Sequence, residues 1–132
     1  MAGTIVADTI QNGAGNSTSM DNAIYGSAKA WVNFNPSSGT AVIRASYNVT
    51  SVTVNSTAVY TIAFTNALSD ANYCFTAACS EPTAGVSAIN FAVGPDNGSY
   101  STWVLAGSLK IQVKRSDASN SNPDVVNIAV FR

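Results

Sequence analysis

The sequence contains no histidine, and few of its side chains are charged. Histidine is the commonest general base and metal ligand, so its absence removes the easiest routes to catalysis and metal binding. Charged residues make up 10% of the chain, against about 25% in ordinary globular proteins, and the net charge is −1. A protein that binds duplex nucleic acid needs a basic face to displace counterions. The composition therefore argues against a nucleic-acid partner.

Cysteine is also scarce, since the 132 residues include only Cys74 and Cys79. Residues five apart on one strand point to opposite faces, so the two thiols cannot bridge within a strand. We predict that both are small buried apolar residues.

No apolar run approaches the ~18 residues that a membrane-spanning helix needs, and the first residues lack a signal peptide pattern. The sequence thus predicts neither membrane insertion nor signal-directed export.

The carboxylates do not form a catalytic or metal-binding motif. They lie mostly in predicted turns, where their side chains can bond the backbone. They are Asp8, Asp21, Asp70, Glu81, Asp96, Asp117 and Asp124. None is paired as in a glycosidase, and none follows the EF-hand spacing. We predict a non-enzyme without cofactor or metal. A carbohydrate-active enzyme that uses Asp96 or Asp124 is kept as an alternative from another class.

What the chain has in abundance is short alternating segments separated by turn residues. About eight or nine such strands follow at spacings of 8–12 residues, which predicts an all-β, antiparallel β-sandwich, jelly-roll-like, of about eight strands. Residues 28–132 form this domain, and residues 1–27 form an extended N-terminal arm for attachment or oligomerisation. In the first strand Val32 and Phe34 share one face and Trp31 lies on the other. In a second strand over 41–49, all the odd-numbered residues are predicted to share a face.

Aromatic residues give the most promising binding signal. Trp103 and Tyr100 lie next to a Gly-rich turn, and rings beside amides suit sugar binding. Trp31 lies opposite the core-facing residues of its strand, so its face is outside the core or meets another subunit. A core or interface role for both tryptophans is the alternative. The candidate ligand surface comprises Trp103, Tyr100, Asn97, Asp96, Asn120 and Asp124, and the candidate interface comprises Trp31, Ile5, Ile10 and Tyr25.

Several of these segments resemble those of a known family. They are AWVNF at 30–34, IRASYNV at 43–49, YTIAFT at 60–65, DANY at 70–73 and VNIAVFR at 126–132. This pattern resembles the small bacteriophage tail-fibre-like, virion-surface β-domains. Ser69 stands where that family usually has proline, and residues 79–116 match poorly.

The resemblance implies a virion protein made in the host bacterial cytoplasm and released by lysis. It implies a homotrimer whose N-terminal arm binds other tail or capsid proteins. Loops at 83–87, 94–102 and 116–124 would recognise a host-surface glycan or protein. The alternative is a capsid decoration or head-fibre protein that stabilises the phage head. No catalytic residues come with the resemblance.

Overall fold

The fold is known from a computed structural model that describes residues 3, 6–36, 39–80, 89–92, 100–115, 119, 120 and 122–132, with 89–92 described as backbone alone. Several predicted features lie outside the described residues. They are Ile5, Glu81, Asp96, Asn97, Asp117, the loop 83–87, and parts of the loops 94–102 and 116–124.

The chain is built from short strands joined by turns. The strands are β1 (Thr9–Gln11), β2 (Ser17–Ser19), β3 (Ala30–Asn35), β4 (Val42–Tyr47), β5 (Val49–Ser56), β6 (Val59–Phe64), β7 (Cys74–Cys79), β8 (Ile89–Ala92), β9 (Val104–Leu105), β10 (Ser108–Arg115) and β11 (Val126–Phe131). One α-helix, α1 (Met20–Gly26), and a 3₁₀ turn, Tyr100–Thr102, complete the described elements.

Two antiparallel sheets form a sandwich. The first sheet has the strand order β5-β6-β10-β8, and β9 pairs with the beginning of β10. The second sheet has the order β4-β3-β11-β7. The prediction of an all-β antiparallel sandwich is therefore confirmed.

Strict alternation of apolar side chains places the core between the two sheets. In β3, Val32 and Phe34 are buried, while Trp31 faces outward with 38% of its surface exposed. The ring of Phe34 packs against the ring of Tyr60, which belongs to the other sheet. The two rings are in an edge-to-face arrangement with 5.5 Å between their centroids. The rest of the buried core comes mainly from β6, β10 and β11: Ile62, Phe64, Leu109, Ile111, Val113, Val126, Ile128 and Val130. The predicted division of the two faces of β3 is thus correct.

The prediction of one strand over 41–49 with a single face is wrong. Asn33 pairs with Ala45 while Phe34 pairs with Ile43, so Arg44 is the extra residue of a β-bulge. A bulge shifts the alternation by one residue. Ile43 consequently packs against the core, whereas Ala45 and Tyr47 face outward with β3's outer side chains.

The segment also bends at Asn48, where the chain leaves the second sheet and enters the first. Asn48 has a left-handed φ of 54°, which asparagine tolerates better than most residues. Its Nδ2 group donates to the carbonyls of Lys29 (3.0 Å) and Asn66 (3.1 Å), and its Oδ1 accepts from the Asn66 N–H at 2.8 Å. One side chain therefore fixes the corner between the sheets.

Within the predicted arm, residues 9–26 fold into the β1-β2 hairpin and helix α1. The Asn12 Oδ1 atom accepts from the Ala14 and Asn16 N–H groups, both at 3.0 Å, and Gly15 supplies a positive φ of 84°. Ser19 caps the helix by accepting from the Asn22 N–H at 3.2 Å. Local side-chain-to-backbone bonds thus hold this unit together.

Because two tyrosines are buried, we expect the protein to lose stability at high pH. Burial raises the pKa of Tyr60 and that of Tyr73 to about 12 each. The Tyr60 hydroxyl donates to Asn122 Oδ1 (2.8 Å), and the Tyr73 hydroxyl donates to the Ser108 carbonyl (3.1 Å). Since the pKa values in the folded state exceed those in the unfolded state, the stability that the two neutral hydroxyls contribute is fully present below pH ~10. It is lost as pH rises towards 12, by about 1.4 kcal/mol per pH unit for each tyrosine.

Urea unfolding at pH 9, 10 and 11 measures this slope. The matched variants Tyr60→Phe and Tyr73→Phe each remove one titrating hydroxyl, so each is expected to reduce the slope above pH 10 by up to about 1.4 kcal/mol per pH unit. A free energy of unfolding that stays constant between pH 9 and 11 would contradict the burial of these hydroxyls.

Candidate ligand-binding face

The candidate site is the outward side of the second sheet, called the outer face below. Strand register aligns its side chains in rows, because directly paired residues share a side of the sheet. One row runs Tyr47, Trp31, Ala129 and Thr76, and the next runs Ala45, Asn33, Asn127 and Ala78. Each row crosses four strands, about 14 Å of sheet.

A shallow depression of about 290 Å³ lies in the middle of the outer face. Its outward-pointing walls are Trp31, Asn33, Thr76, Ala78, Asn127 and Ala129. The depression exists because the row that contains Trp31 changes from large to small side chains towards β7, and the second row also ends in an alanine there. The indole of Trp31 therefore stands beside a floor of alanine and threonine side chains.

Two amides form the polar centre of the depression. Asn33 Nδ2 donates to Asn127 Oδ1 at 2.5 Å across β3 and β11. The Oδ1 atom of Asn33 is buried and has no hydrogen-bond partner among the described residues. A buried acceptor without a donor is costly. The amide that a ligand can reach is that of Asn127, which is exposed.

The outer face differs in charge from the outward side of the first sheet. The described outward residues of β3, β7 and β11 include no Asp, Glu, Lys or Arg. On the first sheet the corresponding row holds Thr53, Thr61 and Lys110. The three strands β3, β7 and β11 therefore present an uncharged surface, and Arg44 in the edge strand β4 is the charged residue among the four strands of this sheet.

The cysteines lie on opposite sides of β7, and both are free. Cys79 is half-buried on the core side, and burial raises the pKa of its thiol. Cys74 is exposed on the outer face, which corrects the prediction that both thiols are buried. The alternation that forbids a bridge within the strand also places one thiol in solvent.

The structure does not gather the predicted ligand surface into one cluster. Trp103 is buried, and the Lys110 ammonium lies 5.5 Å from its ring centroid, so the ring is not available for stacking on a sugar. Tyr100 is exposed near the beginning of β10, where its carbonyl accepts from the Trp103 N–H. Asn120, also exposed, lies at the other end of β10, where it bridges to Lys114.

Asp124 is exposed near that second end, and its carbonyl accepts from Arg44 at 3.3 Å. Asp124 and Asn120 therefore lie at the end of the sandwich away from Tyr100, and they do not form a common site with it.

The predicted interface residues fall into two places. Trp31 lines the depression on the outer face. Ile10 and Tyr25 lie in the N-terminal hairpin and helix, where they are 49% and 66% exposed. Sequence reasoning missed Asn33, Asn127 and Tyr47 as members of the outer face, because the pairing of β3 with β11 joins residues almost a hundred positions apart.

Two further features concern chemistry and membranes. No group of three or more His, Cys, Asp or Glu side chains suited to a metal ion occurs among the described residues. Within the part of the chain that the structure describes, no helix has the length and apolar character needed to cross a membrane.

Comparison with known proteins finds no match: no protein-family model, no curated protein and no solved structure matches the chain. The assignment of a function therefore depends on the chain's own residues.

Proposed function

We propose that this chain is a non-enzymatic bacteriophage virion protein, a tail-fibre or receptor-binding-type module that attaches to the host surface through its outer face. The single observation that carries the proposal is Trp31, a large aromatic side chain held half-exposed beside a depression on the side of the sheet opposite the core. A concave, mainly apolar surface with a few convergent polar groups is the usual form of a ligand site.

The side chains on the outer face supply binding interactions. Trp31 offers a ring for stacking, the exposed Asn127 amide offers hydrogen bonds, and the small side chains give access to both. These groups recognise a partner by shape and hydrogen bonding, which supports a module for attachment over one for bond cleavage.

Repetition of the face would strengthen attachment. A homotrimer, which the family resemblance implies, presents three outer faces to one host surface. Linked sites convert weak single contacts into strong attachment, because the second and third contacts form at a high effective concentration.

The N-terminal unit supports a second candidate, a capsid decoration or head-fibre protein. Helix α1 packs mainly against β2 of its own hairpin. Its apolar side chains Ile24 and Tyr25, like Ile10 of the hairpin, are about half exposed or more. A unit with so much uncovered apolar surface fits a role in clamping neighbouring virion proteins.

Locating the chain in the intact virion tests both candidates. Cryo-EM of virions from the phage that encodes the chain, with copies counted by quantitative mass spectrometry, is expected to show a few copies at the tail. Hundreds of copies on the head would instead establish the decoration protein. Absence of the chain from purified virions would contradict both.

A further inference from the structure

We infer that the outer face binds an uncharged glycan, with a sugar ring stacked on Trp31 and its hydroxyl groups bonded to the exposed amide of Asn127. This inference rests on the proposed attachment function and names its ligand class. It also moves the ligand from the loops predicted by sequence to the face of the second sheet.

The surface on which a sugar ring can stack is the indole of Trp31, and the side chains in its row determine how accessible that indole is. On one side of the indole lies the exposed Tyr47, and on the other lie the small side chains of Ala129 and Thr76. This change in size leaves the indole bordering an open depression. Aromatic rings there can pack against the C–H face of a sugar, which is flat and apolar.

The polar contact is defined by the second row. Asn127 is the exposed member of the amide pair, and Asn33 is the deeper member whose Oδ1 has no partner among the described residues. A ligand hydroxyl can both donate and accept, so it complements the exposed amide of Asn127, whose hydrogen bond with Asn33 uses only the Asn127 oxygen.

The lack of charged side chains at the centre of the outer face indicates which class of glycan it binds. The described outward residues of β3, β7 and β11 offer no Lys or Arg to pair with a carboxylate, sulfate or phosphate, and no Asp or Glu to pair with an amine. Arg44, in the edge strand β4, donates to the Asp124 carbonyl instead. An acidic sugar would lose water around its charge without gaining a partner. A neutral chain of hexoses or N-acetylhexosamines is the ligand that this face complements.

The first test uses the intrinsic fluorescence of Trp31. The variant Trp103→Phe leaves Trp31 as the only indole of the chain. We expect at least one neutral probe among maltohexaose, cellohexaose, mannohexaose and chitohexaose to change its emission saturably and to protect it from acrylamide. Hexagalacturonate and a heparin-derived hexasaccharide, the charged probes, are expected to bind at least tenfold more weakly.

Variants assign the response to named side chains. Measured by calorimetry, Trp31→Ala is expected to weaken binding of the neutral probe more than tenfold, and Asn127→Ala by about tenfold. Tyr100→Ala, which removes an exposed aromatic ring outside the outer face, is the matched control and is expected to leave affinity unchanged. Circular dichroism verifies that each variant is folded.

Three results would overturn the inference. They are failure of every neutral probe to bind, equal binding of the charged probes, and binding that survives Trp31→Ala. If no probe binds and Trp31→Ala instead lowers the oligomeric state in analytical ultracentrifugation, the occupant is a second copy of the chain. The virion location tests the attachment proposal separately, so a tail protein that binds no neutral probe would refute the glycan and leave attachment standing.

Discussion

Replacement of Phe34 by alanine is expected to lower the free energy of unfolding by about 3–5 kcal/mol. Phe34 is completely buried between the two sheets, and its ring meets that of Tyr60 edge to face at 5.5 Å. Its removal leaves a cavity at the contact that joins the sheets. Since small domains have only about 5–15 kcal/mol of stability, the variant is expected to unfold at markedly lower urea concentration and temperature.

The neighbouring residue in the same strand is the matched control. Trp31 is larger than Phe34 but lies on the outer face with 38% of its surface exposed. Trp31→Ala is expected to cost about 1 kcal/mol, the usual size of substitutions on a half-exposed sheet surface. Urea unfolding of both variants measures the difference. Equal losses would contradict the assignment of the two faces of β3.

The second large effect is expected at Asn48, where the chain crosses from β4 to β5. Asn48→Ala removes three side-chain hydrogen bonds, to Lys29 and twice to Asn66. It also places an alanine at a φ of 54°, which alanine tolerates poorly. With about 1 kcal/mol for each of these terms, we expect a loss of roughly 2–4 kcal/mol in the free energy of unfolding.

Two variants separate the contributions at this corner. Asn48→Gly relieves the backbone but still lacks the hydrogen bonds, so it is expected to recover about 1 kcal/mol relative to alanine. Asn55→Ala removes one exposed hydrogen bond, to Thr61, and is expected to change stability by less than about 1 kcal/mol. An Asn48→Ala variant as stable as Asn55→Ala would refute the role of Asn48 as the corner.

The sandwich could be predicted because the alternation of apolar and polar residues within each strand shows which of its sides is buried. Val32 and Phe34 alternate with Trp31, and Ile62 alternates with Thr61, so a period of two is visible in each segment by itself. The short spacing of the strands then leaves few architectures other than a sandwich or barrel.

The segment 41–49 shows why local periodicity has limits. The bulge at Arg44 and the corner at Asn48 are set by pairing with β3 and by contacts to residues 29 and 66, none of which a single strand reveals. The candidate site has the same origin. Asn33 and Asn127 meet only because β11 pairs with β3, and Trp103 is buried by tertiary packing although its sequence surroundings resemble a loop.

The central claim is that the outer face attaches the virion to its host, and competition for adsorption tests it most directly. Purified wild-type chain is added to host cells before the phage, and the fraction of phage that adsorbs is measured. The wild type and Tyr100→Ala are expected to block adsorption, whereas folded Trp31→Ala is expected to lose most of this effect. If Trp31→Ala blocks adsorption as well as the wild type does, the outer face is not the attachment surface.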